Sequence, residues 1–180
     1  MADDPRDPGW GPAIHAVTRL MIPLARGGVR APLTVLRAMF LAFVAALAML
    51  AVVILALGET DGEMAPGAAV AFLAAVAGLD TALVAVFRGR PLLPPEPETI
   101  AAAYRTSVLL RVAYAELTAL VGFVLYFYTG TPSTYFLGVT LSLPGYLMAA
   151  PSAGDVSRHQ ERLNQAGVGL DLMGALTDPS

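Results

Sequence analysis

Apolar residues in this chain fall into four long runs, separated by short polar stretches. The runs cover about 34–57, 66–87, 106–128 and 131–150. Each reaches or approaches the ~20 residues that a helix needs to cross a bilayer. None alternates with a period of two, so a transmembrane barrel is not indicated. Lipid leaves no other way to satisfy backbone groups than a helix. The connections GETDGEMAPG, RGRPLLPPEPETIAAAYR and TGTPS are rich in Gly, Pro and charge. Pro144-Gly145 falls inside the fourth run and predicts a kink there, because proline removes a backbone hydrogen bond.

Two flanking segments also read as helical. From Ala13 to Leu24, apolar Ile14, Val17, Leu20, Met21 and Leu24 recur at helical spacing opposite His15, Thr18 and Arg19. Such a helix lies in a membrane interface, or else forms an extension of the first span or a loose arm. After the fourth run, Ser152 and Asp155 form a capping-box-like start. The polar helix DVSRHQERLNQA then stops at Gly167 and is expected to be solvated. Leu170, Asp171, Leu172 and Met173 beyond it either dock on that helix or fray. The expected fold class is thus an all-α integral membrane protein: four transmembrane helices as two hairpins, an N-terminal interfacial helix and a C-terminal cytoplasmic helix. Its expected parts are an arm over 1–33, a membrane domain over 34–150 and a tail over 151–180.

Composition strengthens this reading. Of 180 residues, 56% are hydrophobic and 14% charged, against about 25% charged in soluble domains. Mean hydropathy is +0.64. The net charge of -3 implies no nucleic-acid partner. With no cysteine, disulfides and thiolate metal sites are excluded. The acidic start at Asp3, Asp4 and Asp7, with no apolar run before Arg37, does not resemble a signal peptide.

Charge also sets an expected orientation. Every basic residue other than histidine is arginine. Arg6, Arg19, Arg26, Arg30 and Arg37 precede or open the first run. Arg88, Arg90 and Arg105 lie between the second and third, and Arg158 and Arg162 follow the fourth. The other two connections carry none; Glu59, Asp61 and Glu63 occupy the first of them. The positive-inside rule then places both termini in the cytoplasm of a plasma membrane crossed several times. Tyr126, Tyr128, Tyr135 and Phe136 would form the outer aromatic belt.

Beyond Arg37 at the opening of the first run, three ionisable residues fall within the runs: Asp80, Arg111 and Glu116. Each costs ~2.5–3.5 kcal/mol to insert, so each needs a reason to be there. Counted from the ends of their runs, Asp80 and Arg111 reach similar depths on consecutive antiparallel helices. An intramembrane Asp80–Arg111 ion pair is therefore expected, with register fixing as its plainest role. Glu116 lies nearer the midplane and about 140° around its helix from Arg111. It is either a neutral acid hydrogen-bonded to a neighbouring span or a candidate ion or proton site.

The stretch AYAELTALVGFVLYFYTG, Ala113 to Gly130, resembles the carboxylate-bearing helix of the rotary ATPase proteolipid, the c subunit. Glu116, Ala119 and Gly122 match its carboxylate and following small residues, and RGRP matches its polar loop. The resemblance covers the second and third runs only, and implies that Glu116 carries an ion or proton. Gly67 and Gly78 do not make the family's dense glycine repeat, the loop is longer, and two runs have no counterpart. The layout is also similar to that of small bacterial four-span inner-membrane proteins with no assigned activity.

Enzymatic signatures are missing from the sequence. His15 and His159 are far apart and expected at the surface. There is no phosphate-binding glycine loop or HExxH motif. No Ser-His-acid set can be argued from two isolated histidines. The expectation is a non-enzymatic accessory or scaffold protein without cofactor or metal. Its partners would be the lipid bilayer, other copies of itself or other membrane proteins. The alternative is an ion- or proton-translocating protein using Glu116.

Overall fold

The computed structural model describes residues 6–18, 31–90, 92 and 99–177, and their regular structure is helical, without strands. The helices are α1 (Gly11–Thr18), α2 (Pro32–Leu57), α3 (Pro66–Gly89), α4 (Ile100–Thr129), α5 (Pro132–Ala149), α6 (Ala153–Gln165) and α7 (Leu172–Thr177). Proline opens α2, α3 and α5, where its missing N–H would have had no intrahelical partner. Glycine follows α2, α4 and α6: Gly58, Gly130 and Gly167 have φ of 71°, 68° and 73°. After α6, Val168 N donates to Leu163 O and Gly167 N to Asn164 O, the paired bonds of a Schellman cap.

Helices α2, α3 and α4 are each long and apolar enough to cross a bilayer; α5 joins them as a fourth candidate only together with α6, from which it is bent by 49°. Only 11% of the apolar window of α2 is buried within the protein, against 44% for α4, so α4 is the more central helix. Met49, Val52 and Leu55 are more than 60% exposed on α2. The α5 helix runs through Pro144. Helix gives way after Ala149 and resumes at Ala153, with Ala150, Pro151 and Ser152 between.

The chain divides into two compact units. Unit 1 comprises Met1–Ala42, Arg90–Val108 and Ala150–Ser180. Its α1 helix lays Ala13 and Ala16 against Ala38 of α2, with Val17 and Leu41 alongside. Ile14, expected on the buried stripe, is 49% exposed. The face in use is therefore the alanine face, which allows close approach to α2; Leu20, Met21 and Leu24 lie outside the described residues. Ser152 caps α6 by accepting from Asp155 N, as its spacing suggested. The α6 helix is not simply solvated: Asp155, Val156, His159 and Leu163 form a buried side. The tail docks on it through Leu172, Met173 and Leu176. Gln160 holds the tail by donating to Leu170 O and accepting from Leu172 N, both at 2.8 Å.

Unit 2 comprises Phe43–Gly89 and Leu109–Ala149. Small residues let its helices approach closely. A Cβ built on Gly138 would lie 2.9 Å from the Gly122 Cα, and one on Gly145 would lie 3.0 Å from the Ala115 Cβ. Leu73 and Leu125 join α3 to α4 in one apolar cluster, and Ile54, Tyr126 and Tyr135 form another. Polar ends of aromatic side chains are satisfied by backbone: Tyr135 donates to Leu47 O at 2.6 Å and Tyr126 to Gly58 O at 2.8 Å. The α2–α3 connection lies against the α4–α5 turn, with Thr60 N donating to Gly130 O and Met64 N to Tyr128 O, both at 2.9 Å.

Candidate functional site

The membrane-type helices of unit 2 carry the three ionisable residues singled out by the sequence, and the structure places them apart. Asp80 is 2% exposed on α3. Its Oδ2 accepts a 2.6 Å hydrogen bond from the Thr118 hydroxyl of α4, and its Oδ1 has no hydrogen-bond partner. Among the described residues no ion pair joins Asp80 to Arg111. The reason is register. Phe87 of α3 stacks on Tyr114 at 5.3 Å, and Asp80 lies opposite Thr118. Arg111 is seven residues before Thr118, roughly 10 Å along the helix at 1.5 Å per residue. Arg111 itself is fully buried, with interactions of its own. Counting from the ends of apolar runs misplaced the pair by about two turns, because α4 begins at Ile100, before the run that marked its start.

Glu116 sits on the flank of α4. The buried stripe of that helix runs through Val112, Ala115, Thr118, Ala119 and Gly122, and Glu116 lies beside it, half-buried. It makes no hydrogen bond or ion pair with any described residue. It lies in the neighbourhood of Tyr135 and Tyr146 of α5. So Asp80 is enclosed and tied to Thr118, whereas Glu116 is open at its side.

Two polar clusters in unit 1 were not found by reading the sequence. Arg37, counted there only as a topogenic charge, is 1% exposed. Its NH1 and NH2 reach the two carboxylate oxygens of Asp7 at 2.5 and 2.8 Å. Its NH1 also donates to Gly9 O and its Nε to Pro151 O. The guanidinium lies 5.1 Å from the Trp10 ring centroid. This one side chain ties the N-terminal segment, α2 and the α5–α6 bend together. The available signal was an arginine inside an apolar run combined with the chain's single tryptophan.

The second cluster corrects the reading of His159, which is buried at 1% exposure instead of lying at the surface. Its Nδ1 donates to Asp155 O at 2.9 Å, and its ring meets Tyr104 edge-on at 5.4 Å. Tyr104 donates its hydroxyl to Asp155 Oδ2 at 3.0 Å. An isolated histidine in a polar helix gave no hint of this; its place on the Val156–Leu163 side would have. His15 is exposed, as expected.

Chemically, the clusters in unit 1 hold their own charges and hydroxyls in mutual bonds, which suits a fastening role. Among the described residues no three His, Asp or Glu side chains gather to hold a metal. Compared with protein-family models, with curated proteins and with solved structures, the chain matches none.

Proposed function

We propose that the protein is a four-span, two-hairpin protein of a bacterial plasma membrane, with both termini cytoplasmic, acting without catalysis as an accessory or scaffold subunit. It works by associating with other copies of itself or with other membrane proteins. The observation that carries this reading is Glu116: a half-buried carboxyl on a membrane-type helix, with no bonding partner among the described residues. An ionisable group within a span is costly unless paired, and a neighbouring protein helix supplies a donor that the described residues do not. The open apolar face of α2 supports the same reading. The topology is supported by the bonds that hold the α2–α3 connection against the α4–α5 turn, since two hairpins require those connections at one end.

Purification from native membranes after mild crosslinking tests the proposal. A stable homo-oligomer or a reproducible membrane partner, weakened by Glu116→Leu, is the expected result. A strictly monomeric protein would overturn it.

The same open position of Glu116 favours one second reading, ion or proton transfer, because a carrier carboxyl must be reachable. In that case proteoliposomes would show pH-gradient-driven flux, and Glu116→Gln would abolish it without unfolding the protein.

A further inference from the structure

A cleft of about 430 Å³ opens on unit 2 where α3 and α5 begin. Thr131, Ser133 and Thr134 line it from the start of α5; Phe136 and Leu137 follow in the next turn, and Val70 faces them from α3. Its size is that of a small-molecule site. Hydroxyls gather at its α5 start; deeper in, Val70, Phe136 and Leu137 are joined by Thr140, whose hydroxyl is turned back onto Phe136 O at 2.8 Å.

The lining contains no charged side chain. A phosphate would find no arginine there, and an ammonium group no carboxylate. The charge nearby in sequence is acidic: Glu59, Asp61 and Glu63 are exposed on the connection bonded to Tyr128 and Gly130, next to Thr131. That charge disfavours an anionic headgroup further. The hydroxyls are arranged to bond a neutral polar group. Thr129, Thr131 and Thr134 exchange hydrogen bonds at 2.8, 3.1 and 3.3 Å, which fixes their positions. Thr129 gives its hydrogen to Leu125 O and is filled as an acceptor by its neighbours, whereas Thr131 and Thr134 retain acceptor capacity. The exposed Ser133 hydroxyl bonds no described residue.

We infer that this cleft binds one lipid through an uncharged, hydroxylated headgroup, a glycosyl or glycerol group, held by Thr131, Ser133 and Thr134 while an acyl chain lies along Val70, Phe136 and Leu137. The inference rests on the membrane reading above. Helix starts place the hydroxyls at the depth of headgroups and the apolar residues one turn further in, as an amphiphile in the adjoining leaflet requires.

The test is native mass spectrometry of the full chain in an amine-oxide detergent, since maltoside detergents carry sugars that would compete. The probes are glucosyl-diacylglycerol, phosphatidylglycerol and phosphatidylethanolamine with identical acyl chains, and free glucose. Glucosyl-diacylglycerol should be retained roughly fivefold or more over both phospholipids, the gain expected of two hydroxyl bonds. Ser133→Val should erase most of that preference, and Val70→Trp should block the cleft; both positions are exposed, and circular dichroism checks that the variants fold. Equal retention of all lipids would overturn the inference while leaving membrane insertion standing. Retention of none would likewise overturn the inference, and the thiol labelling described below tests membrane insertion separately. Binding of free glucose as strong as that of the glycolipid would overturn the role of the acyl chain, and with it the lipid assignment.

Discussion

Thr118 donates its hydroxyl to Asp80 across the α3–α4 pair at 2.6 Å, and this bond fixes which carboxyl of unit 2 is sealed and which is open. Asp80 is enclosed with its Oδ2 satisfied. Glu116, two residues before Thr118 on α4, looks away from that bond. The register that joins Asp80 to Thr118 is the same one that stacks Phe87 on Tyr114, so the two contacts stand or fall together.

Thr118→Val should therefore destabilise the protein by about 1–2 kcal/mol, the cost of stranding a buried acceptor, moderated as membrane hydrogen bonds are. Thr118→Ser should recover most of it. A double-mutant cycle in a thermal or denaturant assay should give a clear coupling energy for Asp80 with Thr118. Asp80 with Arg111 should couple by less than about 0.5 kcal/mol, as separated sites do. A large Asp80–Arg111 coupling would contradict the observed register.

Gly122 and Gly138 face each other with no room for a Cβ on either. The atoms in the way are backbone, which cannot swing aside. Gly138→Ala should cost about 1–3 kcal/mol, as overpacking does. Gly78 on α3 has nothing within 4 Å of its hypothetical Cβ, so Gly78→Ala should be neutral or stabilise by up to about 1 kcal/mol. Equal effects at the two positions in a melting assay would refute the close α4–α5 contact.

The helices were legible in the sequence because apolar run length, opening prolines and closing glycines all mark the same boundaries. The pairing within them was not. Hydropathy locates a helix end only to a turn or so, and α4 begins at Ile100, ahead of its apolar run. That error moved Arg111 opposite Asp80 and hid Thr118. Burial of Arg37 and His159 was hidden for another reason: each is polar, and each is buried by partners distant in sequence, Asp7 and Pro151 for one and Tyr104 for the other. Glu116 was readable as distinct from Arg111 by its position around the helix they share; the depth that set it apart from Asp80 was not, since Asp80 lies level with Thr118, two residues beyond Glu116.

Arg37 makes four hydrogen bonds from a buried guanidinium. Arg37→Ala should cost roughly 3–5 kcal/mol, because the Asp7 carboxylate loses the guanidinium that balances its charge. Arg37→Lys should rescue little, since an ammonium cannot reproduce the planar fork. Asp7→Asn should fall between. Limited proteolysis gives a local readout: cleavage near Trp10 should accelerate in Arg37→Ala well before global unfolding. Unchanged cleavage would show that the N-terminal segment is held by something else.

The four-span topology makes its own prediction, and the chain is suited to the test because it has no cysteine. Any single introduced thiol is then read without background. Glu63 is exposed on the α2–α3 connection, and Gln165 is exposed at the end of α6. If α2, α3, α4 and α5 all cross the membrane, these positions lie on opposite sides of it. Glu63→Cys should react with an impermeant maleimide in intact spheroplasts. Gln165→Cys should react only after permeabilisation. A third thiol at Arg90, exposed after α3, should behave like Gln165, because one crossing separates it from Glu63. Were α5 not to cross, Gln165 would label together with Glu63 while Arg90 stayed protected. Were the whole orientation reversed, all three patterns would invert together. Labelling of Glu63→Cys and Arg90→Cys from the same side would rule out a crossing by α3 and end the two-hairpin arrangement altogether.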